Sequence, residues 1–223
     1  QEMDFLKENL GLAEGVCLLT YAGGDNEVSF GNTSIDGVTI IGVSHDYYQI
    51  KDLEFEEGRY FSPEESNRGA NLVILGSTIA EILFPGFPRK TGLEIKVGGK
   101  KYTVAGVLQR EGKDLFNFSL DENVIMPYNF FRSVYGEGSN GNGTSLIAVN
   151  PGEGMAALEA EYEIRGLMRT IRRLSPKEAD NFAINRISLL EDQISSLFQV
   201  LNSAGFLIGI FAILVGGFGI ANI

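Results

Sequence analysis

Charge is missing from the end of this 223-residue chain: after Asp192 no Asp, Glu, Lys or Arg appears again. Other shortages exclude whole classes of chemistry. One cysteine, Cys17, rules out an internal disulfide, and its apolar run (Val16 to Leu19) predicts a buried small hydrophobe. With a single histidine beside it, His45, a structural zinc site of the usual ligands cannot be built. A Ser-His-Asp or Cys-His site would have to rest on His45. That residue stands beside Asp46 at a predicted strand end without a nucleophile signature, and a surface or helix-capping role fits it. No P-loop is present, so ATP is not bound by that means. Gly136-x-Gly138-x-x-Gly141 has the spacing of a dinucleotide fingerprint, but that motif needs a strand before it and a helix after it. Here Asn142-Gly143-Thr144 and a predicted strand follow, so the glycines mark a loop. Net charge is −11, which argues against nucleic acid and against anionic membrane surfaces as charge-driven partners. No catalytic residue, cofactor or metal site is predicted, and no enzyme activity is expected within the chain.

What the uncharged end does contain is a long apolar run. Ala204 to Ile223 is 20 residues in which Asn222 is the one polar side chain. At about 1.5 Å per residue a helix of that length covers about 30 Å, the thickness of a bilayer's hydrocarbon core. The approach has its own pattern. Ile187, Leu190, Ile194, Leu197 and Leu201 alternate steps of three and four, which places them on one stripe of a predicted stalk helix. No proline interrupts residues 187 to 223. One unbroken helix from a water-soluble domain into lipid is therefore expected, the alternative being an amphipathic helix packed on its own domain. Gly205, Gly209, Ala212 and Gly216 put small residues one turn apart, and Gly217 and Gly219 add to them. In lipid such residues mark close helix–helix contact, so packing against further membrane helices outside the chain is expected.

The rest of the chain reads as α+β. A short helix is predicted over Asp4 to Ala13 and a strand over Gly15 to Ala22. Gly23-Gly24-Asp25-Asn26 reads as a turn, followed by strands over Glu27 to Asn32 and Val38 to Val43. Ser62 before Pro63-Glu64-Glu65 is an N-cap, Pro at the first helical position and acids in the first turn. A strand over Asn71 to Leu75 leads to Gly76-Ser77, which starts a helix that Pro85 stops. Gly98-Gly99 between Gly92 to Val97 and Lys101 to Leu108 is a two-residue hairpin turn. Asn123 to Met126 reads as a strand and Pro127 as the start of a helix through Val134. Ser145 to Val149 reads as a strand, Glu153 to Arg173 as a helix with Leu158, Tyr162, Leu167, Met168 and Ile171 inward, and Asp180 to Asn185 as a strand. That order is βαβ-like.

These pieces resemble the extracytoplasmic core domain of MacB-like ABC transporter permeases, the group with an FtsX-type membrane domain. The residues that carry the resemblance are Ile41-Gly42-Val43 with Tyr47-Tyr48, Gly58-Arg59-Tyr60-Phe61, Val73-Ile74-Leu75-Gly76 with Leu83-Phe84, Gly92 to Ile95 through Val104 to Val107, Ile125-Met126-Pro127, and Leu214 to Ile223. The resemblance implies a split βαβ-type base subdomain (residues 1–50 and 142–187), a mixed α/β inserted subdomain (51–141), and a stalk running into a membrane helix (188–223), with one membrane helix before Gln1 and the next cut at Ile223. It implies a dimer, as homodimer or with a paralogous permease, and a separate or fused cytoplasmic ABC ATPase. A bacterial inner-membrane location is expected, with residues 1 to about 200 extracytoplasmic and membrane lipid around the terminal helix. A periplasmic adaptor and an outer-membrane channel are further partners of that family.

Two local features are candidate surfaces. Gly58 to Phe61 reads chiefly as a fold determinant, with Arg59 paired to nearby acids and Phe61 buried. Phe116 and Phe118 alternate on a stretch bounded by Asp114 and Asp121, either a partner surface or a strand face on the core. Glu54, Glu56, Glu57, Glu64 and Glu65 read as solvated faces. Three functions compete: a permease module that couples ATP hydrolysis to export or extraction, an FtsX-type module that regulates a partner such as a cell-wall hydrolase, and an ordinary soluble domain with a buried C-terminal helix.

Overall fold

The computed structural model describes residues 1–11, 13–112, 119–136, 143–152, 156–186, 198–210 and 212. It divides into two compact units, Gln1–Met155 and Ala156–Ile223.

The first unit contains α1 (Glu2–Asn9), β1 (Gly15–Phe30), β2 (Thr33–Val43), α2 (Tyr47–Ile50), β3 (Phe55–Gly58), α3 (Pro63–Arg68), β4 (Leu72–Leu75), α4 (Ser77–Leu83), β5 (Glu94–Val97), β6 (Lys100–Leu108), β7 (Asn123–Pro127), α5 (Tyr128–Tyr135) and β8 (Gly143–Asn150). The strands run in the order β2-β7-β4-β6-β5-β1-β8, β3 adds to β6, and β1 also pairs with β2. That last pairing closes a six-strand ring. β2–β7 and β4–β6 are parallel and the remaining pairs antiparallel. β8 lies outside the ring, along the first half of β1.

Side chains alternate across the ring as a strand period of two requires. Val38, Ile40, Val73, Leu75, Ile95, Val97, Tyr102, Val104, Val124 and Met126 belong to one core, plugged by Ile79, Leu83 and Phe84 of α4 and its end and by Phe131 of α5. Ile41, Val43, Ile74, Ile125 and Leu108 face the other way, into a second core under Tyr47, Phe61 and Leu120. Gly42 admits Phe131: a Cβ there would lie 2.5 Å from the Phe131 ring.

Three expectations fail here. The chain does not turn at Gly23–Asn26; β1 runs through it for 16 residues and the turn comes at Gly31, which takes the left-handed conformation. The glycine-rich stretch is absorbed as irregular pairing between Ala22 and Val28. Asn26 spans it, its side-chain amide donating to the carbonyls of Ala22 and Val38. Its polar side chain thus supplies ladder bonds rather than a turn.

In the second unit, α6 (Ala157–Ile171) forms as predicted. Leu158 and Tyr162, however, face solvent (48% and 65% exposed), while Ala160 and Met168 are buried. Residues 180–185 make no strand. That segment is held by guanidinium groups instead of a ladder. Arg165 and Arg169 both donate to the Asp180 carboxylate. Arg169 also reaches the carbonyls of Ser175 and Glu178, and Arg172 the Asn181 carbonyl. Glu161 accepts from Arg165 and pairs with Arg186. Residues 198–210 are helical, with Phe198, Val200, Leu201, Phe206, Leu207 and Ile208 each more than half exposed. Among the described residues no helix is long and apolar enough to cross a membrane. Residues 213–223, and with them most of the predicted span, lie outside the described set.

Candidate functional site

Among the described residues no group of three or more His, Cys, Asp or Glu side chains could hold a metal. The candidate site is a set of joints rather than a reaction centre.

The first joint is Gly58 to Phe61, where β3 leaves β6. Gly58 sits at φ +87, and a Cβ there would lie 2.3 Å from the Ala105 carbonyl oxygen. Only glycine lets the two backbones come this close. Arg59 makes a two-pronged pair with Glu65, both bonds 2.7 Å. Glu65 also accepts from the Ser62 N–H while the Ser62 hydroxyl accepts from the Glu65 N–H, closing a capping box at the start of α3. Phe61 is buried. The motif thus acts as the fold determinant expected of it. Neighbouring Glu57 is not the solvated side chain predicted: it accepts from the Thr91 hydroxyl and from the N–H groups of Lys90 and Thr91.

The hydrogen bonds from Arg59, outweighing partial burial, hold the Glu65 carboxyl down at about 2, against an ordinary value near 4.5. A group whose folded value is depressed stabilises the fold above its unfolded value and loses that contribution as pH falls. We expect Glu65→Gln to lower the melting temperature at pH 7. The gap to the native chain should close as pH drops from about 4.5 toward 2. A thermal melt series across that range checks it.

The second joint is Asp121. Burial would raise its carboxyl, but the N–H groups of Glu111 and Gly112 donate to it and leave it below its ordinary value. Its backbone carbonyl accepts from Thr78 N and Ile79 N, satisfying the first free donors of α4. Gly76 makes room: a Cβ there would lie 2.2 Å from the Leu120 carbonyl oxygen. Asp121 therefore fixes both edges of residues 113–118, the stretch that carries Phe116 and Phe118, which themselves lie outside the described residues.

His45 neither caps a helix nor stands free on the surface. It is half-buried, its ring 5.2 Å from Tyr48 and 6.0 Å from Tyr60. Asp46 instead pairs with Lys7, joining α1 to α2. Cys17 is buried as expected, and burial pushes its thiol up to about 12.

The predicted stalk-seam and helix-packing residues are placed only in part. Leu201 is 62% exposed, and nothing lies within 4 Å of where a Cβ would stand at Gly205 or Gly209. Ala212 is helical and exposed. Ile187, Leu190, Ile194, Leu197, Gly216, Gly217 and Gly219 lie outside the described residues. What the sequence did not reveal are the joints made by pairing distant residues: Asp121 with Glu111 and Gly112, and Asp180 with two arginines.

Comparison with known proteins places this arrangement. The fold is similar to the crystal structure of the periplasmic region of MacB from Actinobacillus actinomycetemcomitans, with a TM-score of 0.69 at 16% identity, covering 87% of this chain and 81% of that one. The extracellular domain of the noncanonic ABC-type transporter YknZ from Gram-positive bacteria follows at a TM-score of 0.58 and 19% identity, covering 77% and 84%. By sequence, the macrolide export ATP-binding/permease protein MacB 1 of Yersinia pestis is 28% identical over 207 residues. That alignment covers 90% of this chain but 29% of the relative, so the chain spans less than a third of the length of such proteins. The family model for the MacB-like periplasmic core domain matches residues 2–164. With most of its length inside that match, the chain belongs to the MacB-like periplasmic core domain family.

Proposed function

We propose that this chain is the extracytoplasmic part of an ABC transporter permease subunit in a bacterial inner membrane, and that it couples cytoplasmic ATP hydrolysis to an export or extraction step outside the membrane. The family match over residues 2–164 is the observation that carries this reading. The exposed apolar helix over 198–210 supports it, because Phe206, Leu207 and Ile208 need a cover that water does not supply. Lipid and neighbouring membrane helices are that cover, reached by residues 204–223 as one span. The ATPase is a cytoplasmic domain, separate or fused, and the permease works as a pair, either with itself or with a paralogue. An adaptor and an outer-membrane channel would complete an efflux assembly.

Within the domain we assign residues 1–50 and 142–187 to a base that moves with the membrane helices and 51–141 to an inserted part that meets partners or cargo. Because ring strands from both parts hydrogen-bond to each other, through β2–β7 and β1–β5, this is a division of labour within continuous pairing.

Small residues in the span serve helix packing. The double variant Gly216→Leu, Gly217→Leu is expected to abolish assembly of the detergent-solubilised complex while leaving the melting temperature of the extracytoplasmic domain unchanged. Size-exclusion chromatography of the full complex reads the first, and normal assembly would refute the packing role.

A further inference from the structure

The chain is acidic, yet residues 89–101 hold five cations (Arg89, Lys90, Lys96, Lys100, Lys101) and one carboxylate, Glu94. Two of the five are engaged at the root of the hairpin, Lys90 by Glu56 at 2.9 Å and Arg89 near Glu57 at 3.9 Å. The other three stand on the β5–β6 hairpin. Lys96 and Lys101 are direct cross-strand partners, so their ammonium stems leave the same face of the sheet side by side. Ser29 of β1 stands opposite Lys96 on the other side, extending the row. Ile95, Val97 and Tyr102 point the opposite way, into the ring. Lys96, Lys100 and Lys101 are exposed, and Lys101 has Glu94 at 3.3 Å. Among the described residues Lys96 and Lys100 have no ion-pair partner.

Like charges directly opposite in a sheet destabilise the pair. The usual use of strand lysines, blocking an unpaired edge, does not apply to Lys96: it pairs with Lys101 of β6 on one side and with Ser29 of β1 on the other. Nor does stability explain them, since a Glu at 96 would pair with Lys101. Its cations without a described ion pair are lysines rather than the arginine forks that grip phosphate in two prongs. Solvated point charges on the outer face of the ring suit an acidic protein segment, where they set orientation and association rate.

The geometry points to the outer face of the β5–β6 hairpin, centred on Lys96 and Lys101, as a docking surface for an acidic protein segment of an extracytoplasmic partner. It is independent of whether the whole protein exports cargo or regulates an envelope enzyme.

The probe is poly-L-glutamate of about 20 residues, titrated by fluorescence anisotropy against the full chain in detergent at low salt. Binding by the native chain is expected to weaken at least tenfold in Lys96→Glu, while the variant melts no lower than the native chain. Lys177→Glu, an exposed lysine of the second unit, is expected to change affinity less than twofold. The inference is overturned if the native chain does not bind the probe, or if Lys96→Glu binds as well as native. Equal loss in Lys177→Glu overturns it too, since that marks a general response to net charge. So does tighter binding of inorganic polyphosphate or phosphatidylglycerol vesicles with the same Lys96 dependence, since the surface would then be a phosphate reader.

Discussion

Gly58→Ala is expected to cost about 3 kcal/mol, a sizeable share of the roughly 5–15 kcal/mol that holds a domain folded. Two costs add. An alanine held at φ +87 is strained, at about 1–2 kcal/mol. Its Cβ would also sit 2.3 Å from the Ala105 carbonyl oxygen and 2.7 Å from Gly106 Cα, both backbone atoms of β6, which cannot swing aside. Gly99→Ala provides the comparison. Gly99 has φ +79 but nothing within 4 Å of a Cβ, so it carries the strain alone. The difference between the two variants in urea midpoint isolates the close approach of β3 to β6. Equal losses would mean that this approach contributes nothing.

The second large effect concerns the helix proposed to join domain and membrane. Four residues, Gly-Ser-Gly-Ser, inserted after Val200 of the full transporter should uncouple the extracytoplasmic domains from ATP hydrolysis. A helix is stiff, while a Gly/Ser linker behaves as a coil. Spin labels on Lys177→Cys report the separation of two domains in the assembled pair. The ATP-dependent change in that separation is expected to vanish with the flexible insert, while ATP hydrolysis continues and the domain melts as before. Four alanines at the same place lengthen the rod by about 6 Å but keep it helical, and should preserve most of the change. An unchanged response with the flexible insert would mean that force does not travel along this helix.

Local chemistry in the sequence was a good guide wherever neighbours decide the outcome. Ser62 and Glu65 close their box and Gly98-Gly99 turns the β5–β6 hairpin, because each depends on residues about three apart. The all-apolar run Val73-Ile74-Leu75 serves two cores, one on each face of its strand. Gly23 to Asn26 misled for a physical reason: residues that can turn can also widen a ladder, and pairing with β2 on both sides of the stretch, at Ala22 and at Asn26, decides between them. Residues 180–185 read as a strand, but three arginines, Arg165, Arg169 and Arg172, offer partners a ladder would have to displace. Of the predicted inward stripe Met168 is buried, but Leu158 and Tyr162 face solvent, and Ala160, outside that stripe, is buried. The candidate joints were half legible. Gly58 to Phe61 stood out as a motif, whereas Asp121 binds residues nine and ten positions away and the Lys96–Lys101 pair appears only once the register is known.

The location of residues 1–186 outside the cytoplasm is the central claim, and the chain carries its own blank for testing it. Its one native thiol, Cys17, is fully buried and held in the unreactive protonated form. A Lys177→Cys variant of the whole protein therefore adds an exposed, reactive cysteine to a stretch whose native thiol is silent, and the protein without that substitution is the blank. In intact cells a membrane-impermeant maleimide is predicted to label it as fully as after lysis. Labelling that appears only once the inner membrane is broken would place the domain in the cytoplasm and contradict the account.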